Sequence, residues 1–176
     1  MTALSVQGQD FWTNVKNTID TYKPFAETSN AIYTANDNKM YRSLSKGKEN
    51  TWTALSGYPS VNYYTVYTKG ETIFAANYDY ITNAGRGIYT STDQGVTWEK
   101  KVKGLGADTN VISLSFLPNG NILANVKFDI SGKLYLSKDN AENWEFVKDL
   151  GFNSISDMLV MPDGDVLLSV GGAYIV

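Results

Sequence analysis

The chain has 176 residues, of which 43% are hydrophobic and 13% aromatic, so it is long and apolar enough to bury a core. Its net charge of -3, from 15 basic and 18 acidic residues, excludes the dense basic face that nucleic-acid binding requires. Cysteine and histidine are both absent, which removes disulfides, thiolate catalysis, the commonest metal ligand and the usual general base near neutral pH.

The N-terminal segment carries no targeting signal and admits two structural predictions. The chain does not open on a basic stretch followed by an apolar one, and no window approaches the roughly 18 apolar residues of a membrane span. We therefore expect neither a signal peptide nor membrane insertion, and the compartment stays open. Within residues 10–22, Trp12, Val15 and Ile19 at near-helical spacing after Asp10 predict a helix, whereas similarity to later repeats predicts a strand.

Four hairpin signals follow along the chain, each a polar turn followed by a short β-branched or apolar strand. They occupy residues 28–35, 68–75, 118–124 and 162–168. The dipeptides Asn119-Gly120 and Asp163-Gly164 suit type I′ turns, in which both central residues need positive φ. The apolar residues alternate instead of recurring every three or four positions, which disfavours a helical repeat.

A second element follows the first three hairpins. A strand containing a tyrosine leads into an octapeptide that ends in tryptophan, and the three tryptophans, Trp52, Trp98 and Trp144, recur at a constant spacing of 46 residues. The octapeptides are residues 45–52, 91–98 and 137–144, with residues 5–12 as a candidate fourth copy. Each tryptophan opens a further strand. Four antiparallel strands in a repeat of 40 to 50 residues are typical of a β-propeller blade.

These elements predict an all-β fold of about four propeller-type blades in a single domain. The expected repeats are residues 23–58, 59–106, 107–152 and 153–176, the last completed by residues 1–22. Residues 172–176 resemble a third strand and residues 13–15 a fourth, so pairing of the termini would close the ring without a free edge. The alternative is that the chain is a piece of a larger propeller.

The octapeptide of residues 91–98, Ser-x-Asp-x-Gly-x-Thr-Trp, resembles the Asp-box, or bacterial neuraminidase repeat. Residues 137–144 match it with Ala141 where glycine is usual, and in residues 45–52 Gly47 stands for the aspartate and Glu49 for the glycine. The residues assigned to the motif are Ser91, Asp93, Gly95, Trp98, Ser137, Asp139, Trp144 and Trp52.

The resemblance implies a structural turn between the third and fourth strands of a blade. The physical chemistry agrees, because an aspartate two residues after a serine can accept backbone N–H groups while the following glycine takes positive φ. We therefore expect Asp93 and Asp139 to hold turns at the blade periphery instead of acting in catalysis.

Enzymatic readings find little support in the sequence. Sialidases, which the name of the repeat suggests, resemble one another in using three arginines on a six-bladed ring, whereas this chain has only Arg42 and Arg86 and is too short for six blades. Other glycosidases need two carboxylates about 5 to 10 Å apart, one of them with a raised pKa. Asp79, between Tyr78 and Tyr80, comes closest to that context.

Residues 77–86 form the candidate binding loop, because loops on a rigid scaffold carry recognition groups. Tyr78 and Tyr80 offer stacking faces, while Asp79 and Arg86 offer planar hydrogen bonding to a glycan or a protein. A plain extended hairpin is the alternative reading of this segment.

The sequence thus predicts a non-enzymatic module that acts in recognition or assembly, with a glycan or protein partner and no cofactor or metal. The alternatives are a glycoside hydrolase-like or sialidase-related enzyme fragment, and a structural component of a larger particle or fibre such as a virion. An incomplete ring would need further chains to cover its edges, which would make the protein a homo-oligomer or part of a larger assembly.

Overall fold

The computed structural model describes residues 25–36, 39–48, 50–58, 64–77, 87–107, 109–128, 131–151, 155–169 and 173–175. The N-terminal octapeptide, the strand-or-helix question at residues 10–22 and the closing of a ring by residues 1–22 all lie outside these residues. The described chain contains no helix long and apolar enough to cross a membrane.

The described strands form four antiparallel sheets in chain order. Sheet 1 contains β1 (Ala26–Glu27), β2 (Ile32–Asn36), β3 (Lys39–Ser43) and β4 (Trp52–Ala54). Sheet 2 contains β5 (Tyr64–Lys69), β6 (Thr72–Asn77), β7 (Gly87–Ser91) and β8 (Glu99–Lys100). Sheet 3 contains β9 (Asn110–Phe116), β10 (Ile122–Phe128), β11 (Ser131–Ser137) and β12 (Glu145–Asp149). Sheet 4 contains β13 (Asp157–Val160), β14 (Val166–Ser169) and β15 (Ala173–Ile175). The predicted all-β fold of four-stranded antiparallel blades is confirmed, whereas the repeat boundaries stay a prediction.

The hairpin turns of sheets 3 and 4 differ from the type I′ turns that the sequence suggested. Gly120 and Gly164 have φ of 86° and 100°, while Asn119 and Asp163 are not among the residues with positive φ. The Gly120 N–H donates to the carbonyl of Leu117 at 2.9 Å, three residues back. Each loop is therefore a type I turn followed by a left-handed glycine, which needs only one positive φ.

Consecutive sheets pack face to face through three apolar clusters. Because side chains alternate across a strand, the second strand of a sheet serves two clusters at once. In β6, Ile73 and Ala75 pack towards sheet 1 and Phe74 and Ala76 towards sheet 3, and all four are fully buried. We call the face of a sheet that packs on the preceding sheet its leading face, and the opposite face its trailing face. The leading face of sheet 1 has no preceding sheet among the described residues.

Candidate functional site

The four residues of the expected binding loop, Tyr78, Asp79, Tyr80 and Arg86, lie outside the described residues. Their flanking strands are described, and the last register pair of β6 and β7 joins Asn77 to Gly87 at that end of sheet 2. The loop assignment therefore stays a prediction.

The turn between β7 and β8 is held by one hydroxyl and one carboxylate. The Ser91 hydroxyl donates to Asp93 Oδ1 at 2.7 Å and accepts the Gly95 N–H at 2.8 Å. The Asp93 carboxylate also accepts the Thr97 N–H at 2.9 Å and the Thr97 hydroxyl at 2.6 Å. The indole N–H of Trp98 closes the turn by donating to the Gly95 carbonyl at 3.1 Å.

The turn between β11 and β12 repeats this geometry. Ser137 Oγ donates to Asp139 Oδ1 at 2.9 Å and accepts the Ala141 N–H at 2.8 Å. Asn143 takes the place of Thr97, since its N–H and its side-chain amide both donate to Asp139. Ala141 occupies the glycine position at φ 73°, a conformation that costs a side chain with a Cβ about 1–2 kcal/mol.

The turn before Trp52 corrects the alignment made from the sequence. Register pairs place Ser43 opposite Ile32 just as they place Ser91 opposite Ile73, and the Gly47 N–H donates to Ser43 Oγ at 3.0 Å. The copy therefore starts at Ser43 and not at Ser45. Gly47 holds the glycine position, with φ 75°, instead of the aspartate position. This copy is two residues longer than the others, and the extra residues follow the glycine, since Trp52 lies five residues after Gly47 whereas Trp98 lies three residues after Gly95.

The hydrogen bonds that Asp93 and Asp139 accept determine the protonation state of both carboxyl groups. The side-chain and backbone donors of Thr97 lower the pKa of Asp93 to about 2. The corresponding donors of Asn143 likewise lower the pKa of Asp139. Both groups are ionised at neutral pH and already accept several hydrogen bonds. They are therefore unsuited to act as general acids.

A buried cation joins the outgoing chain of sheet 2 to the turn of sheet 3. Lys101 is 7% exposed, and its ammonium lies 2.8 Å from Glu99 Oε1 and 2.5 Å from Glu142 Oε1. Desolvation would lower the pKa of Lys101, but the hydrogen bonds that its ammonium donates to Glu142 and Glu99, together with their negative charges, outweigh it, so the pKa lies above its usual value. The two ion pairs of Lys101 therefore link sheet 2 to the turn of sheet 3.

The tryptophans of sheets 2 and 3 are covered by the chain leaving the preceding sheet. The Tyr58 ring meets Trp98 edge-on with centroids 6.1 Å apart, and a Cβ placed on Gly95 would lie 2.6 Å from Leu55 Cδ1. Trp144 is buried, and its indole N–H donates to the Lys101 carbonyl at 3.2 Å. In both cases an outgoing segment closes over the glycine or alanine and the tryptophan of the next turn.

The same surface of sheet 1 is an open groove of about 490 Å³. It is lined by Phe25, Ala26, Glu27, Ile32, Gly47 and Trp52. Phe25 stacks at a tilt on Trp52, with centroids 6.0 Å apart, and is itself 64% exposed. Ile32 and Gly47 are partly exposed, whereas their equivalents Ile73 and Gly95 are buried. The groove is a leading face without its cover among the described residues.

Polar groups border this groove on one side. The β1–β2 loop, together with Leu44 and Lys46, lines a second depression of about 500 Å³. The loop is tied to sheet 2, because the Ser29 N–H donates to Glu71 Oε1 at 3.0 Å and lowers the pKa of Glu71. The described residues contain no cluster of three or more acidic side chains suited to a metal ion. The groove is thus a mainly apolar surface with polar groups along one side.

Sequence reasoning did not identify this groove. In the sequence, Ile32, Gly47 and Trp52 resemble the equivalent residues of sheets 2 and 3. Only their packing in the structure distinguishes them, because no described segment covers them.

Comparison with solved structures identifies the architecture. The extracellular domain of a hybrid two-component system from B. thetaiotaomicron superposes with a TM-score of 0.67 at 15% identity, covering 86% of this chain and 20% of that chain. YCF48 bound to D1 peptide gives 0.58 at 18% identity, covering 86% and 48%. The Dos1 propeller gives 0.58 at 15% identity, covering 86% and 44%. No family model and no curated protein matches the chain. At these identities the similarity shows the fold alone: the chain is built as a β-propeller, and it spans less than half the length of these three chains.

Proposed function

We propose that this chain is a non-enzymatic β-propeller module that binds protein, in recognition or assembly, through the leading face of sheet 1. The observation that carries the proposal is the groove beside Trp52, which has no preceding sheet over it among the described residues. Equivalent surfaces within the chain are covered twice by polypeptide, by Leu55 and Tyr58 on sheet 2 and by the segment around Lys101 on sheet 3. The groove can therefore accept a polypeptide segment that inserts an apolar or aromatic side chain, as the covering segments do on sheets 2 and 3.

The turn chemistry supports both the non-enzymatic reading and membership of the Asp-box family. Ser91 and Asp93 bond the backbone as the resemblance implies, and Ser137 and Asp139 repeat the arrangement. Carboxylates committed to such bonds with lowered pKa values offer no proton at neutral pH.

One of the similar structures bears on the type of partner. YCF48 was solved with a D1 peptide bound, so a propeller of related fold accepts a peptide ligand. The apolar lining of the groove favours the same class of partner here over a glycan, whose many hydroxyl groups call for a polar site.

A peptide-display selection against the purified chain tests the proposal, with a glycan array in parallel. We expect enriched peptides that bind the unmodified chain and lose at least about 30-fold in affinity on Phe25→Asp, since the substitution places a charge in the apolar contact. Phe146→Asp is the matched control, because Phe146 is a comparably exposed phenylalanine on sheet 3. Binders that ignore Phe25, or a glycan signal without any enriched peptide, would contradict the proposal.

A further inference from the structure

Sheet 4, the last of the described sheets, carries a second apolar face that no other described sheet covers. Register pairs Leu159 with Leu167 across β13 and β14, so both side chains project from the same face of sheet 4. Their neighbours Met158 and Leu168 project from the opposite face and belong to the cluster with sheet 3. Leu159 is 56% exposed, and Met161, at the end of the same strand pair, is also exposed.

This second surface is the trailing face of sheet 4. Its equivalent in sheet 3 contains Leu117 and Leu123, at the positions of Met161 and Leu167, and both belong to the cluster that includes Val166 of sheet 4. Leu117 and Met161 occupy equivalent positions in their hairpin turns. The N–H of each residue donates to the carbonyl of the residue four positions later in the chain. A face of this kind is covered in sheets 1, 2 and 3 by the leading face of the next sheet.

The described chain therefore carries both halves of its own recurring interface, one at each end of the row. We propose that the partner for which the groove is built is a second copy of this chain, whose sheet 4 packs its trailing face on the leading face of sheet 1. This inference rests on the proposed function and names its partner. Head-to-tail contacts close into a ring when the rotation permits, and two copies would supply eight sheets, within the range of four to eight blades that propellers adopt.

Internal precedent supports self-association over an unrelated occupant. The contact has already formed three times within one chain, each time between the apolar faces of two consecutive sheets. The two apolar faces are different surfaces of one molecule, so they can form a heterologous contact. In such a contact each face has to be complementary to the other face and not to a copy of itself. Burial of Phe25 and Leu159, both more than half exposed in the single chain, would supply its apolar centre.

Sedimentation equilibrium of the full 176-residue chain and of two single variants tests the inference. We expect the unmodified chain to form dimers, and Phe25→Asp and Leu159→Asp each to weaken self-association by at least about 30-fold. An equimolar mixture of the two variants should recover dimers, because the intact sheet 4 of the first variant meets the intact sheet 1 of the second. Phe146→Asp should dimerise like the unmodified chain, and melting curves of every variant establish that it is folded.

Three outcomes would overturn the inference. An unmodified chain that stays monomeric at high concentration has its faces covered in another way, by its own first 24 residues or by a different protein. Dimers that survive Leu159→Asp but not Phe25→Asp would show a contact between two leading faces. Failure of the mixed variants to associate would exclude the head-to-tail arrangement. Leu159→Asp leaves the groove uncovered, so the peptide selection repeated on this variant decides the proposed function independently.

Discussion

The contact between Gly104 and Trp144 is the sharpest test of how sheets 2 and 3 are joined. Gly104 has φ 99°, and a Cβ built on it would lie 2.0 Å from the Trp144 carbonyl oxygen. Next to it, the Trp144 N–H donates to the Lys103 carbonyl at 2.8 Å. Gly104→Ala therefore cannot be accommodated unless the backbone at Trp144 shifts.

We expect Gly104→Ala to lower the free energy of unfolding by about 3–7 kcal/mol, the sum of three contributions. The backbone conformation alone costs an alanine about 1–3 kcal/mol. Loss of the hydrogen bond between Lys103 and Trp144 adds about 1 kcal/mol, and displacement of the packed indole adds about 1–3 kcal/mol. In a chain of this length each kcal/mol lowers Tm by about 2–4 °C.

Gly106→Ala is the matched control, two residues away. Gly106 has φ 62° and no atom within 4 Å of a built Cβ, so its alanine carries the backbone cost of about 1–2 kcal/mol and no clash. Urea unfolding followed by tryptophan fluorescence should separate the two variants by about 2 kcal/mol or more. Equal destabilisation would refute the reasoning, because the approach of Gly104 to Trp144 would then contribute nothing to the joint.

Three further substitutions examine single contacts, each read by thermal or urea unfolding. Ala141→Gly should raise stability by up to about 1 kcal/mol, since relief of the positive φ of Ala141 outweighs the loss of one buried methyl group; a loss would mean that the methyl packing dominates. Tyr58→Phe should cost about 1–3 kcal/mol, because the Met40 N–H donates to the Tyr58 hydroxyl at 2.6 Å and would lose that acceptor; an unchanged midpoint would show that the amide finds another one. Glu142→Gln should cost less than about 1 kcal/mol, since Glu142 is 57% exposed, and the difference should shrink in 1 M salt; a loss that salt leaves unchanged would mean that the charge is not what matters.

The fold was predictable because the sequence signals for each blade lie within a single repeat. The alternating apolar residues, the turn glycines and the tryptophans at constant spacing all specify structure within one blade, where sequence neighbours are spatial neighbours. The turn type at Gly120 and the starting point of the copy before Trp52 were wrong. Both predictions relied on residue spacing, whereas the turn geometry is set by a hydrogen bond. The Leu117 carbonyl accepts it in one turn and the Ser43 hydroxyl accepts it in the other.

The open groove could not be predicted because its accessibility depends on a neighbour and not on its own residues. Ile32 and Ile73 occupy the same position in their sheets, yet only Ile73 is fully buried. A repeat sequence specifies two apolar faces for every blade, since most blades lie between two others. Whether a given face is covered depends on the neighbouring sheet, and the local sequence of sheet 1 resembles that of the covered sheets 2 and 3.

The turn of sheet 1 separates the role of the serine from that of the aspartate. It has Ser45 at the aspartate position, yet Ser43 Oγ still accepts the Gly47 N–H, and the Thr51 hydroxyl lies 2.7 Å from Ser43 Oγ in place of a carboxylate oxygen. The serine hydroxyl is thus the element shared by all three turns. The aspartate of the other two adds a contribution that depends on its charge.

This division predicts a dependence on pH that differs between the turns. Because Asp93 has its pKa lowered from 3.8 to about 2 in the folded chain, its stabilising contribution is complete above pH 4 and is lost as the pH falls towards 2. Asp93→Asn should therefore be less stable than the unmodified chain at pH 5, and the difference in Tm between them should vanish near pH 2. Thr51→Val removes two uncharged hydrogen bonds in sheet 1, to the Ser43 hydroxyl and the Lys48 carbonyl, so its deficit should be the same at both pH values. A pH-independent deficit for Asp93→Asn would show that the carboxylate acts only by its shape, and the charge would then have no part in holding the turn.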